Sequence, residues 1–161
     1  MNARTLIVVG SIVLLALIQI GGWAQTKYVP KENEEIYGTW INNQDKGDLF
    51  HPQKVILTAG KVVMYFKISD TDPSADGDMT WQIGSKWTDS EGNVWYKTFG
   101  THLAGMFKGY NWQELDEISK SGTVWESELN PIGKTDFDSD NYPPKIYPES
   151  FHYRILYRSA N

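Results

Sequence analysis

The stretch Met79-Thr80-Trp81-Gln82-Ile83-Gly84-Ser85-Lys86-Trp87-Thr88 decides the fold class. Read at a period of two, it places Trp81, Ile83, Ser85 and Trp87 on one face and Thr80, Gln82, Lys86 and Thr88 on the other. One apolar and one polar face in alternation is the pattern of a strand with a single buried side. The preceding segment behaves alike: Val62, Met64, Phe66 and Ile68 oppose Lys61 and Lys67, although Val63 and Tyr65 blur the outer face.

Outward from this stretch the same grammar repeats. Segments rich in Val, Ile, Tyr, Trp and Thr run over Ile36–Asn42, Lys54–Leu57, Lys61–Ile68, Met79–Thr88, Val94–Leu103, Asn111–Ser119, Thr123–Leu129 and Phe151–Arg158, giving eight predicted strands. Beyond residue 24, no window of helical length carries an apolar stripe at 3.6-residue spacing. The short turns Thr58-Ala59-Gly60, Ser90-Glu91-Gly92-Asn93 and Ser119-Lys120-Ser121-Gly122 supply glycine where hairpins need it. Hairpin following hairpin predicts an all-β, eight-stranded antiparallel up-and-down meander closed into a barrel. A two-sheet sandwich satisfies the same strand count. Between Asn130 and Ser150, Pro131, Pro143, Pro144 and Pro148 predict an extended crossing segment.

The chain starts with Arg4, an apolar run from Leu6 to Ile20, and small residues at Gly22 and Ala24. That is the pattern of a secretory signal peptide over residues 1–24. The run of roughly 15 residues falls short of the ~20 that span a bilayer, and the alternative is a retained N-terminal anchor. Residues 25–35 are polar and read as a flexible lead-in, and 36–161 as one barrel domain. The expected location is exported, periplasmic or extracellular and bacterial, without stable membrane insertion once the signal is cleaved. The chain has no cysteine, so neither disulfides nor thiol chemistry enter. A net charge of −5 without a basic block gives no electrostatic reason to bind nucleic acid.

The first strand contains Tyr37-Gly38-Thr39-Trp40. A Gly-x-Trp opening an eight-stranded meander resembles the lipocalins and the wider calycin group. The resemblance implies that Trp40 plugs one end of the barrel beside Gly38, with an arginine of the last strand across its ring. Antiparallel pairing makes Arg158 the first choice and Arg154 the second. It further implies a lumen that takes one small ligand. The proline-rich segment stands where that family has a helix before its last strand, and the family's mid-chain turn motif is not recognisable.

Candidate ligand-binding residues follow from the aromatic content. Trp81 and Trp87 occupy the cleanest inward face, Trp112 and Trp125 lie on later strands, and Phe107 and Tyr110 are placed to line a mouth. The alternative is that such rings fill the barrel. Glu114 and Asp116 share a face with Trp112 and Ile118 and would act as an acid/base pair or hold a cationic ligand, unless that face lies in water. Glu126 and Glu128 would extend the same acidic patch. The aspartate-rich turns Asp72–Asp78 and Asp136–Asn141 lack the closing glutamate of a calcium loop and read as solvated turns. His51, His102 and His152 have no metal spacing. No cofactor, metal site or catalytic residue is expected. The expected function is binding of a small apolar or aromatic ligand, and the alternative is a packed barrel presenting its loops to another exported protein.

Overall fold

The computed structural model of the protein describes residues 28–43, 51–65, 77–104 and 107–160. The predicted signal segment and most of the Asp72–Asp78 turn lie outside the described residues. The fold is all-β, with nine strands among those residues: β1 (Gly38–Ile41), β2 (Lys54–Thr58), β3 (Lys61–Tyr65), β4 (Gly77–Thr80), β5 (Gln82–Thr88), β6 (Val94–Thr101), β7 (Asn111–Ile118), β8 (Val124–Gly133) and β9 (Tyr153–Arg158). They form a single antiparallel sheet in the order β4-β3-β2-β1-β9-β8-β7-β6-β5. The last strand returns to the first, and the two edge strands are consecutive in the chain, so the sheet is a nearly closed barrel.

The expected strand Met79–Thr88 is thus two strands, and the seam of the barrel runs through it. Its first half pairs with β3 and its second half with β6. Trp81 sits at the change of partner, with its backbone N–H donating to Gly60 O at 3.2 Å. A bridge from Met79 to His102 and a hydrogen bond from Thr101 N to Thr80 Oγ1 (2.9 Å) close the seam. The crossing is tight at Gly100, where a Cβ would overlap the Thr80 carbonyl and come within 2.8 Å of Trp112 Cζ2.

A second irregularity corrects the inward assignment of Trp87. The β5–β6 register shifts between Ile83 and Ser85, and the extra residue is Gly84. A bulge inserts one residue and so exchanges the two faces of everything after it. Ile83 points inward as expected, but beyond the bulge Lys86 lies opposite buried Tyr96, and Trp87 pairs with Trp95 on the outer face. Trp87 is 41% exposed.

The interior is one continuous core built on Trp40, Trp81, Tyr96, Trp112 and Trp125, with Val55, Leu57, Val62, Met79, Ile118 and Leu156 between them. Each of these rings removes about 150–250 Å² from water, so few of them suffice to fill a barrel this small. Outside, the proline-rich segment runs as a strap over β5 to β8. Phe137 packs on Phe99 (4.7 Å between centroids), Lys97 lies over the Tyr142 ring, and Gln113 exchanges hydrogen bonds with the Asp138 backbone. Beyond the short 3₁₀ turn Ser139–Asn141, Glu128 receives Tyr147 N–H and Ser150 O–H. Glu128 therefore belongs to the strap contact and lies on the opposite side of the sheet from Glu114.

Candidate functional site

Trp40 is fully buried and donates its indole N–H to Ile36 O at 2.8 Å. The Arg158 guanidinium lies 4.3 Å from its ring centroid. Arg158 also donates to the carbonyls of Gly122 (2.6 Å), Tyr37 (3.0 Å) and Glu35, tying three chain segments over the ring. Gly38 is required beside it. Its φ is +139°, and a Cβ there would lie 2.8 Å from Arg158 Nη1. The arginine expected as second choice, Arg154, is one of the inner residues described below.

The lead-in folds across this end of the barrel. Glu34 is buried and accepts from Tyr28 O–H (2.5 Å), Lys31 N–H (2.7 Å) and Lys86 Nζ (2.7 Å). Lys86 bonds Glu35 as well, and the Tyr96 hydroxyl donates to Glu35 at 2.7 Å. Burial raises the Glu35 carboxyl, but Lys86 and Tyr96 outweigh it and hold the group at about 2. The sequence reading missed this cluster, although two features mark it: Gly84 interrupting a strand, which commonly signals a bulge, and the adjacent carboxylates just before β1.

Midway up the barrel, β7, β8 and β9 turn polar groups inward. Arg154 is buried and forms an ion pair with buried Glu114. Its Nε approaches Ser127 Oγ at 3.3 Å, and its guanidinium carbon is 5.9 Å from the Trp125 ring. Asp116, one inward position further along β7, accepts from Thr98 Oγ1 at 2.7 Å and from Trp125 Nε1 at 2.8 Å. Burial pushes its carboxyl up to about 7 against the pull of those two hydrogen bonds. Burial likewise draws Arg154 down to about 10, and burial together with Arg154 lowers His102. Glu114 and Asp116 do share a face, as the alternation of β7 requires. The cation that Glu114 holds is the chain's own arginine, and neither carboxylate is exposed to solvent in this packing.

Trp81, Trp112 and Trp125 all point inward and are exposed by 2% or less. The Trp112 indole N–H is buried without an acceptor. Phe107 and Tyr110 touch each other (6.3 Å) in the β6–β7 connection, Phe107 beside His102 and Tyr110 under Lys134 Nζ. Glu126 faces outward and accepts from Tyr153 O–H at 2.9 Å. In the second acidic turn, Asp138 caps the 3₁₀ turn by accepting from Asp140 N.

No known protein family, curated protein or solved structure matches the chain. Its function therefore has to be argued from this geometry. One crevice of about 200 Å³ opens where β1 and β9 part. Among the described residues β1 meets β9 only at Tyr157 and Arg158, so Tyr153–Leu156 have no partner on that side. Asn42, His51, Pro148, Ser150, Tyr153 and Arg154 are among its walls. That volume is below the ~300–1,000 Å³ of most small-molecule pockets.

Proposed function

We propose that this chain is an exported, lipocalin-like barrel with a packed interior that serves as an interaction module through its outer surface and loops. The observation that carries the reading is the burial of Trp81, Trp112 and Trp125 to 2% exposure or less. A ring that lines a ligand cavity keeps accessible surface in the empty barrel, and these keep almost none. The Trp40–Arg158 stack at the end of a meander supports the lipocalin-like part. The export part rests on the basic, apolar and small-residue order of residues 1–24.

The test is a fluorescence titration with fatty acids, aromatic acids and retinoid-like molecules. No saturable change in tryptophan emission is expected. A saturable response removed by Trp81→Phe would overturn the packed-interior reading. Intact mass of the exported protein should begin at Gln25, and recovery of the full chain in membranes would overturn export. The second reading, a carrier of a small ligand, is favoured by the orphan N–H of Trp112, which a ligand oxygen would satisfy.

A further inference from the structure

The strap covers the outer face of the sheet at the level of Phe99, Lys97 and Glu128 and leaves the next level bare. There the register aligns Trp87, Trp95, Glu117 and Glu126 across β5, β6, β7 and β8. The two indoles are near-parallel, 11° apart in plane with centroids at 6.0 Å. Trp95 is fixed by its N–H to Asp89 Oδ2 at 2.9 Å, while Trp87 is the exposed partner.

Glu117 and Glu126 lie directly opposite one another. Like charges in that relation destabilise a sheet, and among the described residues no lysine or arginine pairs with either. Burial, then Glu126, Asp89 and Glu91, raise the Glu117 carboxyl, so four carboxylates act on one patch. Lys97, the next outward-facing residue of β6, is taken up by the Tyr142 ring. A second copy of this chain would bring the same negative charge and be repelled. A cationic occupant would relieve the repulsion and cover the exposed ring. Arginine fits better than lysine, because a planar guanidinium stacks on an indole and bonds carboxylates with the same plane.

We propose that the Trp87–Trp95–Glu117–Glu126 band docks an arginine-bearing segment of a protein partner. This deepens the interaction-module reading and rests on it. The experiment titrates the exported protein with a labelled peptide of alternating arginine and glycine, followed by anisotropy and tryptophan emission. Matched peptides carry lysine or uncharged citrulline instead. Saturable binding of the arginine peptide is expected, weaker with lysine and absent with citrulline. Trp87→Ala and the double change Glu117→Gln with Glu126→Gln should each weaken it at least about tenfold. Both variants alter surface groups, and a retained near-ultraviolet circular dichroism spectrum checks the fold. Three results would each overturn the docking face: no binding by the unaltered protein, equal affinity for lysine and arginine peptides, or an unchanged affinity in Trp87→Ala. Failure here is distinguishable from failure of the packed-interior reading, which falls only to a saturable apolar ligand.

Discussion

Arg154 and Glu114 sit inside a core that otherwise holds large apolar side chains, and their pairing decides how each tolerates change. Desolvating two charges costs about what their attraction returns, but leaving one of them alone costs about 3–5 kcal/mol. Glu114→Gln is therefore expected to destabilise by about that amount. The double change Glu114→Leu with Arg154→Met should come close to neutral or gain stability. Urea unfolding of the three proteins checks this, and additive losses in the double variant would contradict it. Trp40 obeys a different rule. Removing a buried ring leaves a cavity, so Trp40→Ala should cost about 3–5 kcal/mol. Arg158→Ala should cost less, since a cation–π contact at the rim contributes roughly 0.5–2 kcal/mol. Thermal melts that rank the two in reverse would refute the assignment of Trp40 as the plug.

At the scale of the elements, the continuous segment of β4 and β5 carries the construction. Its two halves serve different neighbours, and the crossing at Gly100 leaves no room for a side chain. Gly100→Ala would force the Thr80 carbonyl and Trp112 away together. Proteolysis and hydrogen exchange should then show early opening of β4 while the β6–β7–β8 ladder stays protected. Uniform loss of protection would place the seam elsewhere. The bulge at Gly84 has the opposite character, because it is what turns Lys86 toward Glu34 and Glu35. Deleting Gly84 would remove the extra residue and let Ser85, Lys86 and Trp87 keep Lys97, Tyr96 and Trp95 as partners in a regular ladder, so Lys86 would stay turned inward. Such a deletion is expected to leave the domain folded with the Lys86 ion pairs in place, and a deletion variant that unfolds would show that the bulge itself is needed.

For the molecule as a whole, one buried and one exposed carboxylate set opposing dependences on pH. Asp116 binds its proton more tightly in the folded state, at about 7, than an unfolded aspartate at about 3.9. Its contribution to stability is complete below about pH 4 and is lost as pH rises through 7. Glu35, held at about 2, contributes fully above its ordinary value of 4.5 and loses that contribution as pH falls toward 2. Stability should therefore peak in mildly acidic solution. Asp116→Asn should flatten the decline between about pH 4 and 7 and leave the acidic limb in place. An unchanged slope in denaturation measured across that range would show that Asp116 is not the group responsible.

The sequence by itself determined the strand class, the meander and the turns, while the resemblance to the lipocalins implied the Trp40 plug, for which antiparallel pairing made Arg158 the first-choice partner. These depend on neighbours in the chain: alternation at period two, glycine at hairpins, and a register counted from one antiparallel pairing. The shared face of Trp112, Glu114 and Asp116 on β7 was also legible, but not whether that face pointed inward or into water. Only the tertiary structure decided that Glu114 meets Arg154, forty positions away, since the partner of a buried charge is set by packing across the lumen. It also decided that one strand would become two, because the closing of a sheet depends on where both edges arrive. The same holds for Trp87. Alternation predicts its face only while the ladder is regular, and one extra residue at Gly84 turned that ring from the core to the surface.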